Sequence, residues 1–215
     1  GEHLGGATYL TGSTWTMGAL FAHSAGIPFS FPVHGNSMGD REEFAAGVVT
    51  LGDILQHEGY NQAFLCGSDA SFAGRREFYE QHGDYEIYDY YSAIDDGYID
   101  ENYYVWWGYE DVILYDIAKD KITELASEES PFNFTMLTAD THFPDGYICQ
   151  LCENNSDNIA ANVVMCADKQ IYDFVEWCKK QEWYENTIIV IVGDHMRMDS
   201  ALVADVDATD RKNYN

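Results

Sequence analysis

The sequence predicts an α/β fold, a three-layer sandwich with a largely parallel central sheet flanked by helices. Three observations carry that expectation. Segments with helical apolar spacing alternate with short apolar runs, glycines punctuate the junctions, and polar residues able to do chemistry gather just past the runs. At 215 residues the chain is long enough to bury a sizeable core. No linker, repeat or low-complexity tract divides it, so residues 1–215 are expected to form one domain.

The elements are justified in chain order. A helix is predicted from Thr16, with Met17, Leu20, Phe21 and Ser24 on one face and "GIP" as the stop. Thr16 itself stands where a helix N-cap belongs. A second helix is expected over 45–60, where Val48, Leu51, Ile54 and Leu55 recur at helical spacing before Gly59. "NQAFLCGS" reads as a strand and "GRREFYEQHG" as a short helix closed by Gly83. Residues 84–105, rich in tyrosine and acid, read as a surface loop. "YEDVILYDIAKDKITELA" is a helix and "FNFTMLTAD" a buried strand. After a polar loop, residues 162–181 form an amphipathic helix whose stripe is Val164, Ala167, Ile171, Phe174, Val175 and Cys178. "NTIIVIVGD" then predicts a last buried strand.

Composition restricts the function classes. Apolar residues make up 46% and aromatics 15%, which excludes a disordered chain. Eleven basic residues face 37 acidic ones, a formal net charge of −26. A field of that sign opposes nucleic acid and anionic membrane surfaces, and is compatible with cation binding or plain solubility. No apolar run reaches 18 residues, so no membrane span is expected, and residues 1–6 lack the pattern of a signal peptide. The "CQLC" motif has a spacing used by zinc and redox sites, but no second such pair follows, which argues against a four-cysteine zinc site. One disulfide is expected instead, pairing Cys152 with Cys166, beside buried free thiols.

Three polar clusters sit at predicted strand ends, where ligands gather in open parallel sheets. Asp194 and His195 follow the last strand. "TADTHFPD" brings Asp140, His142 and Asp145 past another, and "GSD" closes a third ahead of Arg75. A mixed oxygen and nitrogen donor set suits Mn²⁺ or Zn²⁺ better than Ca²⁺. The Arg75 fork suits a phosphate, and a threonine at a helix start becomes a nucleophile when a cation lowers its pKa. The ordinary alternatives are a capping threonine, a turn with a satisfied histidine and a surface arginine.

Together, "STWTMGALFAHSAGIP", "GSDASFAGRREFYEQHG", "TADTHFPDGY", "NTIIVIVGDHMRMD" and "RKNYN" resemble the alkaline phosphatase and sulfatase superfamily. The branch resembled is that of lipoteichoic acid synthases and phosphoglycerol transferases, nearest to those that decorate periplasmic glucans. The resemblance implies an alkaline phosphatase-like sandwich and a metal-dependent phosphoglycerol transferase. In it Thr16, chosen over Thr14 because Gly26 ends the helix ten residues on, is nucleophile and metal ligand together with Asp194 and His195. His142 and Arg75 would bind the substrate phosphate. The implied metal is Mn²⁺, with Zn²⁺ or Mg²⁺ as alternatives. The implied partners are a phosphatidylglycerol-like donor and a glycan or polyglycerol-phosphate acceptor.

The implied location is the extracellular or periplasmic face of the cytoplasmic membrane, with the tether outside this chain. The family's remaining acidic ligand lies on a strand upstream of the nucleophile, and none is found ahead of Thr16. The sequence is therefore expected to be the middle of a catalytic domain. Ala73 stands where lipoteichoic acid synthases carry a tryptophan. A phosphodiesterase, a sulfatase (which Thr16 counts against), a phosphoethanolamine transferase and an inert fragment or binding module are the alternatives.

Overall fold

The computed structural model describes residues 10–33, 36–198, 202–207 and 210–211. Residues 1–6 and 212–215, which bear on the leader and "RKNYN" readings, lie outside the described residues. Six helices, α1 (Thr16–Ala25), α2 (Leu51–His57), α3 (Arg75–Gln81), α4 (Tyr90–Asp95), α5 (Asp111–Ala126) and α6 (Ile159–Cys178), surround three strands among the described residues. The strands β1 (Asn61–Cys66), β2 (Glu86–Tyr88) and β3 (Phe132–Leu137) form a sheet in the order β2-β1-β3, parallel throughout.

β1 explains the layering. Its side chains alternate between two cores, as the two-residue period of a strand requires. Phe64 and Cys66 join Met17, Phe21, Phe29, Phe44, Phe78 and Tyr79 on one face. Ala63 and Leu65 join Tyr88, Leu114, Ile117 and Ala118 on the other. Being buried on both faces, β1 reads as a continuous apolar run. The first core is mostly aromatic: Phe21 meets Phe29 and Phe31 edge-on, and Phe64 stacks on Tyr79 at 4.1 Å. The expected three-layer α/β architecture is what the chain adopts.

Several local expectations are corrected. Residues 84–105 are not only surface loop: they contain β2 and α4 and bury Tyr85, Tyr88, Ala93 and Ile99. There the tyrosine rings supply core area while the intervening acids stay wet, a mixture that resembles a loop in composition. Asp89, 1% exposed, starts α4 by accepting from the Tyr91 and Ser92 N–H groups. The second helix begins only at Leu51, because Thr50 and Asp53 close a capping box there and Ala45 takes a positive φ of 53°. Leu51 and Ile54 face solvent. On α6 the buried stripe is Val163, Cys166, Gln170 and Cys178, while Val164 is exposed.

The predicted strand over 187–192 is not formed. Among the described residues no strand pairs with it, and Ile188 and Val190 are 89% and 75% exposed. A β-rich sequence becomes a strand only when a neighbour satisfies its backbone, and none does so here. No disulfide forms either: all five cysteines are free, although Cys152 and Cys166 lie in one cluster with Cys149.

Candidate active site

Thr16 occupies the first turn of α1, and Trp15, in an extended conformation, takes the N-cap position instead. The threonine hydroxyl is therefore not used as a cap, contrary to expectation. The N-terminal loop is fixed by Gly12, whose φ of 90° is paired with a hydrogen bond from Phe29 N–H to Gly12 O at 3.0 Å. Gly26 ends the helix with φ 69°, its N–H bonded to Ala22 O.

Thr16 Oγ1 lies 3.5 Å from His195 Nε2. The Asp194 Oδ2 atom is 3.4 Å from the same nitrogen, and Asp194 Oδ1 accepts the His195 backbone N–H at 2.8 Å. On the far side of the ring, Nδ1 lies 2.9 Å from the Met196 carbonyl oxygen. A carbonyl only accepts, so Nδ1 carries a hydrogen, and Nε2 is the ring atom that faces Thr16 and Asp194. A hydroxyl and a carboxylate thus both approach one imidazole nitrogen, while the ring is held by its second nitrogen. The residues fit a divalent cation.

The other two predicted residues lie beyond this convergence. Arg75 opens α3 and is buried, 7% exposed. Its Nε donates to Phe72 O at 3.1 Å, and one terminal nitrogen donates to Ser68 Oγ at 3.2 Å and to Asp69 O at 2.7 Å. It thus braces the loop leaving β1. His142 follows β3, and its Nδ1 donates to Phe143 O at 2.6 Å. Asp145, two residues past the imidazole's partner, takes a φ of 27° in a turn closed by Gly146.

Asp140 is not a ligand. It is 2% exposed and interlocks with Asp111 at the start of α5. Asp111 accepts from the N–H groups of Ala139 and Asp140, and Asp140 Oδ1 accepts from Asp111 N–H. Ala73 is buried in the aromatic core at φ 63°.

Two elements that sequence reasoning missed tie these parts together. Arg197 Nη1 donates to Thr141 O at 2.7 Å, bridging the Asp194-His195 loop to the residue before His142. A tight hairpin, closed by mutual hydrogen bonds of Val105 and Gly108, presents two tryptophans. Trp106 Nε1 donates to Ala139 O at 3.1 Å. The Trp107 ring sits 4.8 Å from His142 and 6.2 Å from Phe72, which Arg75 in turn covers at 5.5 Å. Gly108 has no room for a side chain: a Cβ there would collide with the Gly67 carbonyl oxygen. In a stretch so rich in aromatics, "VWWGY" carries no local signal that singles these tryptophans out.

A family model described as Sulfatase matches residues 8–203. The chain belongs to the sulfatase family. This sulfatase chain is 31% identical over 210 residues to Phosphoglycerol transferase I of Citrobacter koseri, and 30% identical to that of Escherichia coli (strain 55989 / EAEC). Each match covers 95% of this chain and 27% of the relative, so the chain spans about a quarter of the length of those proteins. Among solved structures, the lipoteichoic acid synthase LtaP from Listeria monocytogenes superposes with a TM-score of 0.72 at 22% identity. That match covers 91% of this chain and 48% of LtaP. A protein of the alkaline phosphatase superfamily from Vibrio parahaemolyticus matches with a TM-score of 0.69 at 23% identity, covering 84% of this chain and 43% of that one. At these identities the structural likeness establishes the sulfatase fold alone.

Proposed function

We propose that this sulfatase chain carries the catalytic centre of a metal-dependent phosphoglycerol transferase that works through a covalent glycerophospho-threonine. The observation that carries the reading is the 3.5 Å approach of Thr16 Oγ1 to His195 Nε2, with Asp194 Oδ2 3.4 Å from the same nitrogen. The phosphoglycerol transferases among its relatives supply the reaction class. Thr16, Asp194 and His195 would hold the cation, Mn²⁺ in the first instance and Zn²⁺ or Mg²⁺ otherwise. When bound, it supplies a lowered pKa for the threonine hydroxyl.

Thr16 Oγ1 attacks the phosphorus of a phosphatidylglycerol-like head group. The bond from phosphorus to the diacylglycerol oxygen breaks, and diacylglycerol leaves with a proton. A hydroxyl of a glycan or polyglycerol-phosphate acceptor then attacks the same phosphorus and releases Thr16. Arg75 and His142 serve the phosphoryl oxygens, where negative charge has to be stabilised. Among the described residues the second terminal nitrogen of Arg75 makes no hydrogen bond, which leaves one edge of the fork for substrate.

A lipid donor requires a membrane surface, and the resemblance to envelope transferases makes that the extracellular or periplasmic face of the cytoplasmic membrane in this reading. No helix of the described residues is long and apolar enough to cross a bilayer, so the tether would belong to another part of the protein.

The test uses the full-length protein with phosphatidylglycerol, Mn²⁺ and a glucan acceptor, read by mass spectrometry. Glycerophosphate added to the acceptor, abolished in Thr16→Ala, supports the reading. Free glycerol phosphate as the sole product makes the enzyme a phosphodiesterase. Unchanged turnover in Thr16→Ala removes the assignment.

A further inference from the structure

Away from the Thr16 centre, three thiols from two segments meet. Cys149 and Cys152 flank a turn downstream of the His142 loop, closed by a hydrogen bond from Cys152 N–H to Cys149 O at 3.1 Å. Cys166 projects from α6 to join them. All three sulfurs lie within 4.8 Å of one another. Cys149 Sγ is 3.7 Å from Cys152 Sγ and 3.7 Å from Cys166 Sγ.

Those separations are those of thiol contacts, too long for a disulfide and compatible with a shared tetrahedral ion. A disulfide brings two sulfurs to about 2.05 Å, whereas Zn²⁺ with bonds of about 2.3 Å in a tetrahedron spaces them by about 3.8 Å. Burial raises the thiol pKa values of Cys149 and Cys152, so these sulfurs keep their protons until a cation displaces them. Cys149 and Cys166 are buried, and Gln170, 6% exposed, aims its amide nitrogen at both sulfurs, at 3.9 Å and 3.5 Å. A buried amide donor placed against two ligating sulfurs orients them and disperses their charge. Cys166 also lines a cleft of about 110 Å³ with Glu153, Asn155 and Asn162, from which a carboxylate or a water could complete the coordination.

We infer that Cys149, Cys152 and Cys166 hold one structural Zn²⁺ that ties the loop following His142 to α6. The ion enters as Zn²⁺, the three thiols release three protons to solvent, and no redox partner is involved. Thiolates select this soft cation, while the hydroxyl, carboxylate and imidazole set around Thr16 suits a harder one, so the two sites are separable by metal.

The experiment loads full-length protein, purified under reducing conditions, with Zn²⁺ and Mn²⁺ together, desalts it, and measures metal per chain. The Asp194→Ala/His195→Ala variant is expected to keep one Zn²⁺, and Cys149→Ser/Cys166→Ser to lose one. Because the cysteine variant could fail to fold, Co²⁺ is also loaded into the Asp194→Ala/His195→Ala protein, whose cysteines are intact. An intense near-ultraviolet thiolate-to-cobalt band is expected. Absence of both Zn²⁺ and that band in this variant overturns the inference, as does a disulfide between any two of the three cysteines in reduced, zinc-treated protein. Loss of Mn²⁺ alone in the same variant bears only on the Thr16 centre, so the two readings fail separately.

Discussion

Asp111 and Asp140, one at the start of α5 and one just past β3, each cap the other's backbone: Asp111 accepts from Asp140 N–H at 3.1 Å and Asp140 accepts from Asp111 N–H at 3.2 Å. The pair pins the loop that carries His142 to the helix behind it. Burial pushes the Asp140 carboxyl up to about 8, with the neighbouring Asp111 charge adding to the effect, and burial pushes Asp111 up to about 6. The buried Asp140 Oδ2 has no hydrogen-bond partner among the described residues, which favours a neutral carboxyl there.

This pair sets a pH dependence whose sign follows from linkage. An unfolded aspartate releases its proton near 3.9, while the folded pair keeps one well above that. The folded state binds more protons in between, so stability falls as pH rises from about 4 toward 8 and levels off beyond. Asp140→Asn mimics the neutral form and removes the loss. Its melting temperature at pH 8 is expected to exceed the parent's by roughly 2–4 °C, the size of about 1 kcal/mol in a domain of this length. At pH 5 the gap closes. A gap that stays constant from pH 5 to 8 would rule out the retained proton.

Thr16→Ala removes the proposed nucleophile without touching a cap, since Trp15 holds that position. Turnover is expected to fall by at least about 10³-fold, as when a group acting in the covalent step is deleted. The melting temperature stays within about 2 °C, as for a substitution that makes no cavity and strands no buried group. Steady-state rates beside a thermal melt separate the two effects, and a large stability loss would mean that the hydroxyl is structural.

Arg197→Met breaks the bond to Thr141 O while keeping the apolar stem. A hydrogen bond from a charged donor contributes about 1.5–3 kcal/mol, so kcat/KM is expected to fall roughly 10- to 100-fold as the His142 loop loosens. Binding of Mn²⁺ to Asp194 and His195 should change little. Measuring metal affinity and kcat/KM on the same preparation checks this, and a collapse of metal binding would relocate the role of Arg197 to the cation itself.

Asp89 concentrates four interactions at a position 1% exposed: the Tyr91 and Ser92 N–H groups that it caps, the Ala70 N–H at 3.0 Å, and the Arg76 guanidinium at 2.7 Å. Asp89→Ala leaves these donors without their acceptor, and a loss of about 3–5 kcal/mol is expected. Urea unfolding measures it. Asp89→Asn, which can still cap the helix, should recover part of the loss; if it does not, the charge pairing with Arg76 dominates over the cap.

Strand β1 with its two buried faces and the glycines that close helices were legible because their signals are local, whereas β3, expected to be buried, is only half-buried along its length. "AFLC" in β1 and Gly26 at the end of α1 meet their requirements within a few residues. The stretch over 187–192 shows the limit of such signals. Its β-branched run is a strand pattern, but a strand also needs a neighbour, and neighbours are set by the assembled sheet.

The site divides in the same way. The sequence by itself determined which chemistries are available: a threonine at a helix start, an Asp-His pair, a histidine past a strand, an arginine after a glycine, and cysteines, among them a C-x-x-C pair, read toward a disulfide that does not form. Tertiary structure alone decided that Thr16 and His195, 179 residues apart, meet at 3.5 Å. It also decided that Asp140 faces Asp111 and not a metal, and that Arg197, Trp107 and Gln170 are the groups holding the parts in place. The physical reason is range. Backbone propensity and apolar period are decided among residues a turn apart, whereas hydrogen bonds and ring contacts between distant segments depend on a packing that no local window contains.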